Sequence, residues 1–213
     1  MPDLPQLVST LMQSRQTILP KRLLAPGPNT AELATLLSAA ASAPDHSQLL
    51  PWRFVLVPQD TRGLLAEVFA RALLERDAAA LPDQVEQARE KAFRSPLLML
   101  AVVDGACGDA EVDLHERIVS AGCAIQNMLL MATAMGYGSA LTSGKALKSA
   151  GLRHLFNLQT HDQALCFISV GTVQARKAQR TRPQTGDYIS RLTPSQGVVS
   201  GYAFEPSNPP STP

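Results

Sequence analysis

The sequence predicts an α+β or mixed α/β domain organised around a long apolar helix. Three observations point there. The stretch Ile118–Met135 has no proline, is rich in Ala, Leu and Met, and lies in a run without ionisable acids or bases between Arg117 and Lys145. Short apolar, β-prone runs occur at Trp52–Val57, Leu97–Val103, Tyr137–Ser143 and Ala164–Val170. Amphipathic helical patterns separate them, and no internal repeat or linker divides the chain.

Taken in order, Asp3 is placed to cap a first helix whose apolar stripe is Leu4, Leu7, Val8, Leu11 and Met12. That helix ends in the basic, proline-broken segment Ser14–Arg22. Asn29 followed by Glu32 reads as a capping box for a second helix with Leu33, Leu36, Leu37, Ala40 and Ala41 on one side, stopped by Pro44. A polar loop, Ala43–Gln48, leads to the strand at Trp52–Val57. Thr61 is a candidate cap for a helix carrying Leu64, Leu65, Val68, Phe69, Ala72 and Leu73, and Pro82–Lys91 reads as a surface helix. Leu97–Val103 is uniformly apolar, as a central strand covered on both faces should be.

The central helix is apolar on nearly all sides. Its polar interruptions, Ser120, Gly122, Gln126, Asn127 and Thr133, and its length favour burial in a core over a membrane span. Gly136 sits at its C′ position. A short helix over Leu147–Phe156 precedes the strand at Ala164–Val170. The expected organisation is one domain over residues 1–206, with the Pro- and Ser-rich tail 207–213 disordered.

Composition narrows the function. A chain of 213 residues with net charge +1 carries no general electrostatic pull toward nucleic acid. Cys107, Cys123 and Cys166 have neither disulfide-framework nor zinc-site spacing, and no basic-then-apolar leader begins the chain, so a reducing, cytoplasmic setting is expected. No nucleophile elbow, phosphate loop, dinucleotide fingerprint or zinc-protease motif is present. Gly136-Tyr137-Gly138-Ser139 follows a helix instead of opening one, which fits a cap and turn better than a phosphate cradle. Two polar loops remain as candidates. Arg15, Lys21 and Arg22 could meet a phosphate, and Asp45, His46, Ser47 and Gln48 offer hydrogen bonds beside apolar walls.

Together these segments resemble the nitroreductase family of FMN-dependent NAD(P)H oxidoreductases, in its compact single-domain bacterial branch. The motifs are S-R-Q after the first helix, A-P-D-H-S-Q-x-x-P-W-x-F at Ala43–Phe54, F-R-S-P-L at Phe93–Leu97, S-A-G-C-A at Ser120–Ala124, G-Y-G-S-A-L-T-S-G at Gly136–Gly144, and G-T at Gly171-Thr172. The resemblance implies a central mixed sheet flanked by helices and a homodimer with FMN at its interface. It implies flavin contacts from Ser14, Arg15 and Gln16, from Ser42 and His46, and from Leu141, Thr142 and Ser143. Met131, Ala132, Thr133, Ala134, Met135 and Gly136 correspond to the region assigned to the nicotinamide co-substrate. No dedicated catalytic acid–base residue and no metal is implied, because hydride transfer is the flavin's own chemistry. The expected reaction is ping-pong, with NAD(P)H as donor and a nitro compound, quinone or similar small molecule as acceptor. Nucleic acid and membrane are not expected partners. Where the family has two arginines and a serine, this chain has Ser14-Arg15-Gln16, so Arg15 would carry most of the charge facing the phosphate. These replacements keep open a non-catalytic flavin-binding or sensing homologue, or a flavoenzyme of the same fold with different chemistry.

Overall fold

Local sequence signals set most element boundaries in the computed structural model, which describes residues 3–175 and 181–201. They fall in two units, one within Met1–Arg176 and one within Lys177–Pro213. In the first, the elements are α1 (Leu4–Ser14), β1 (Leu23–Leu24), α2 (Thr30–Ala40), β2 (Trp52–Leu56), α3 (Arg62–Arg76), α4 (Pro82–Glu90), β3 (Leu97–Asp104), α5 (Leu114–Ala134), β4 (Gly138–Thr142), α6 (Ala150–Leu155) and β5 (Asp162–Val173). The capping box of α2 is complete: Asn29 accepts from the Glu32 N–H, and Glu32 accepts from the Asn29 N–H. Asp3 and Thr61 occupy cap positions without making side-chain caps. Instead Thr61 Oγ1 donates to the Pro58 carbonyl. The segment expected as one helix at Leu147–Phe156 is divided, because Ser149 caps α6 and separates it from a 3₁₀ turn at Lys145–Lys148. β1 was not expected, since two residues carry no readable period.

The sheet runs β1-β5-β3-β2, with β4 also paired to β5. All four strand pairings are antiparallel, and an isolated bridge from Thr17 to Ser139 is parallel. Period-two alternation sends one set of side chains to each face. Met99, Ala101, Val103, Cys166, Ile168 and Val170 pack with α2 and α5. Leu98, Leu100, Val102 and Phe167 face the other way, against Leu65 and Ala66 of α3, Leu152 of α6, and Leu147. Both faces are covered, which explains why β3 reads as a continuous apolar run.

α5 buries Ala121, Ala124, Ile125, Met128, Leu129 and Ala132 but leaves Val119 64% exposed. No residue of α1 is buried; Leu4 is 71% exposed and Met12 54%. Its apolar stripe is therefore left uncovered by the described residues. No helix among the described residues is long and apolar enough to cross a membrane. In the second unit, β6 (Ser190–Thr193) and β7 (Gly197–Ser200) form an antiparallel hairpin, with Gly197 at φ +68°. The sequence reading placed no strand there. The expected tail 207–213 lies outside the described residues.

Candidate functional site

A cavity of about 670 Å³ opens against the α3 side of the sheet. That volume lies within the range of small-molecule and cofactor sites. Leu98, Phe167 and Ser169 line it from the sheet, and Phe69, Leu73, Ala88 and Leu147 supply apolar walls. Phe69 stands edge-on to Phe167, with centroids 5.6 Å apart, the favoured arrangement for an aromatic pair. Thr142, Ser143 and Gly144 at the end of β4 contribute polar groups.

Around this apolar surface stand Lys21, Arg76, Lys91, Arg94 and Lys145, and no Asp or Glu among the described residues lines the cavity. None of these five cations pairs with an acid among the described residues. A chain that is almost neutral overall thus concentrates positive charge at one recess, where an anion would be held by several partners at once. Arg62 fixes one side of this arrangement. It is 1% exposed and donates to the carbonyls of Val57, Ala92, Ser95 and Pro96. The turn carrying Lys91 and Arg94 is thereby tied to the start of α3. Burial lowers the Arg62 pKa, though a guanidinium remains charged at neutral pH.

The other side depends on the reversal after α5. Gly136 takes φ +87°, a conformation that glycine adopts freely. At Gly138 a Cβ would come within 2.4 Å of Val173 Cγ2, so only glycine lets β4 lie this close to its neighbours. Ile18 N–H donates to the Ser139 carbonyl at 2.9 Å and docks the N-terminal segment on β4. That contact brings Leu19, Pro20 and Lys21 to the cavity.

Of the residues expected in the site, Thr142 and Ser143 line this cavity; Leu141 is exposed beside it in sequence but does not. Ser14, Gln16 and Thr133 meet elsewhere, with Ile18, Tyr137, Gly138 and Val173, around a void of about 10 Å³. Arg15, half-buried, is the C-cap of α1. Along the end of α5, Ala132 is buried in the core, Met131 and Met135 are half-buried, Ala134 and Gly136 are exposed, and Thr133 Oγ1 donates to the Leu129 carbonyl. Ser42 is exposed, with its N–H bonded to Ala39.

The loop after α2 is held under strain. Ser47, Gln48 and Leu50 all have left-handed φ, at 55°, 55° and 48°. Such conformations cost of order 1–3 kcal/mol each for ordinary residues and persist only where surrounding contacts enforce them. Those contacts are visible. Asp45 Oδ2 accepts from the Leu50 N–H at 2.7 Å, Ser120 Oγ donates to the Pro44 carbonyl at 2.8 Å, and His46 Nδ1 lies 2.7 Å from Glu116 Oε2. Asp45 Oδ1 is buried and finds no partner among the described residues. Two of these braces, Ser120 and Glu116, belong to α5, so the helix and the loop form one built unit.

Other chemistries find less support. Burial pushes the Cys166 thiol up to about 11, and raises Cys107 as well, so neither is a ready thiolate. Asp104, His161 and Asp162 gather at metal-ligand spacing. However, both Asp162 oxygens already accept from Arg53, at 2.9 and 2.7 Å. The cationic wall residues Arg76, Lys91, Arg94 and Lys145 escaped the sequence reading. F-R-S-P was noted as a motif without a role for Arg94, and single cations on polar helices carry no pattern.

Known proteins give the same architecture. A Haemophilus influenzae protein provisionally named NAD(P)H nitroreductase is 29% identical over 184 residues, 86% of this chain and 98% of its own length. A nitroreductase-like family protein from Bacillus cereus superposes with a TM-score of 0.74 at 15% identity, covering 85% of this chain and 94% of that one. The FMN-dependent nitroreductase NfnB from Mycobacterium smegmatis, solved in complex with NADPH, gives 0.63 at 16% identity, covering 81% and 90%. The sequence profile of the nitroreductase family matches residues 13–172, and the chain belongs to that family.

Proposed function

We propose that the chain is an FMN-dependent NAD(P)H oxidoreductase that passes electrons to nitro compounds, quinones or similar acceptors. The observation that carries this reading is the acid-free, cation-ringed cavity with an apolar lining, at the end of β4 in a nitroreductase fold. The residues suit FMN. Its flat ring needs apolar walls, which Phe69, Leu73, Leu98, Leu147 and Phe167 provide. Its polar edge needs donors such as the Thr142 and Ser143 hydroxyls, and its phosphate needs fixed cations such as Lys21 and Lys145. Bound FMN supplies two-electron redox chemistry. The protein's task is to hold and orient the ring, exclude water from its apolar side, and admit donor and acceptor in turn.

Arg15, Ser42 and His46 do not line the protomer's own cavity. In this reading the site is completed in a homodimer, where these residues reach the partner's flavin. The uncovered stripe of α1 and the exposed Val119 of α5 are the apolar surfaces available for that contact. The direct test is the visible spectrum of the purified protein, followed by addition of NADH and then NADPH. A yellow protein, or stoichiometric uptake of added FMN, with bleaching by NADH or NADPH is expected. A colourless protein that takes up no FMN would sink the proposal. Turnover with a quinone then distinguishes an enzyme from a flavin-binding homologue without activity.

A further inference from the structure

The five cations at the cavity belong to two groups of elements. Lys21 and Lys145 lie on the loop segments beside Thr142 and Ser143. Arg76 ends α3, while Lys91 and Arg94 lie on the turn after α4. Lys91 opens a 3₁₀ turn, and Arg94 follows three residues later, so their side chains project to the same side. In the proposed FMN site, the loop group with its hydroxyls, together with Arg15 reaching across from the other protomer, meets the single flavin phosphate. The helix group then remains unmatched. All three line the same cavity, and none is offset by an acid among the described residues. Two of the three are guanidiniums, whose planar forks match phosphate oxygens.

We infer that Arg76, Lys91 and Arg94 form a second anion subsite, which receives the 2′-phosphate of NADPH and makes the protein prefer NADPH to NADH. This rests on the oxidoreductase reading above for its role in turnover. The chemistry is direct. NADH and NADPH share the nicotinamide and the pyrophosphate, and differ by one phosphate on the adenosine ribose. A cationic group with nothing to neutralise distinguishes them through that phosphate alone.

The test compares two small probes, 2′,5′-ADP and 5′-AMP, by calorimetry on the flavin-loaded protein. The first should bind about tenfold or more tightly than the second, the scale of one charge-assisted phosphate contact. The advantage should shrink as salt rises. Arg76→Glu and Lys91→Glu should each bring the two affinities together, whereas Lys91→Arg should keep them apart. In steady state, the ratio of kcat/KM for NADPH to that for NADH should fall by a similar factor in the two Glu variants. Equal binding of the two probes by the parent protein overturns the inference. So does full discrimination by both Glu variants. If the protein takes up no FMN, the proposed function fails separately, and the probe comparison on the protein as purified still decides whether the subsite exists.

Discussion

Asp162 illustrates how a single side chain can be structural while looking functional. It is 1% exposed, accepts both guanidinium nitrogens of Arg53 and also bonds the Gln159 N–H. The Arg53 hydrogen bonds chiefly hold its carboxyl below the usual range. A carboxylate depressed in the folded state adds stability above its unfolded pKa, and loses it as pH falls through the folded value. Because Arg53 is 43% exposed at its side chain, solvent screening limits the gain. Asp162→Asn should cost about 1–2 kcal/mol at pH 7. Thermal melts should show the gap from the parent narrowing as pH drops below about 4, into the range where the parent's own carboxyl protonates. Arg15 makes a different case. In the proposed dimer it meets the partner's flavin phosphate, and its loss should then weaken FMN binding by about 30-fold or more. Arg15→Ala should then purify largely without flavin, with apoprotein melting temperature near that of the flavin-free parent. If flavin titration finds parental affinity, the phosphate rests on the cavity cations alone.

At the scale of elements, buried arginines do the joining. Arg62 ties β2's end and the Ala92–Pro96 turn to α3 through four carbonyls. Arg117 of α5, also 1% exposed, does likewise for the Cys107–Val112 loop, donating to the carbonyls of Cys107, Asp109 and Val112. Neither needs an acid partner, because oriented backbone carbonyls share the charge. Replacing Arg62 by Met would keep the apolar stem but leave those carbonyls without a donor. The expected loss is about 3 kcal/mol or more, read as a lower denaturation midpoint in urea. A change much smaller than that would mean water satisfies the carbonyls. Since the same contacts seat Lys91 and Arg94, Arg62→Met protein that still folds should also discriminate the two adenosine phosphates less well.

For the whole molecule, the apolar surface left open on α1 and α5 is the basis for predicting assembly. Leu4, Leu7, Val8 and Met12 are all exposed along one helix, and burying side chains of this kind contributes roughly 1.5–3 kcal/mol each. A two-fold homodimer is the simplest closed arrangement that covers a self-complementary face. Light scattering at micromolar concentration should give twice the mass of one chain. Leu7→Asp combined with Val119→Asp should yield monomer, and that monomer should also lose flavin if the partner completes the site. A parent protein of single-chain mass would remove this account of where Arg15, Ser42 and His46 act.

Much of this was legible in the residues because it depends on local physics. The α2 capping box, the uniformly apolar β3, the helix of α5 and the turn at Gly136 follow from propensity, period and the freedom of glycine. Order and spacing of the A-P-D-H and G-Y-G-S-A-L-T-S-G segments were enough to point to the family. Other features needed the tertiary structure. Glu116 and Arg117 are adjacent charges in the sequence, yet Arg117 is buried and Glu116 braces His46. Leu23 and Leu24 pair only because β5 extends to Val173. The cavity draws Lys21, Arg76, the Lys91–Arg94 turn and Lys145 from four places in the chain, a grouping that no period encodes. Long-range electrostatics is a sum over positions in space, and sequence fixes those positions only through the completed fold.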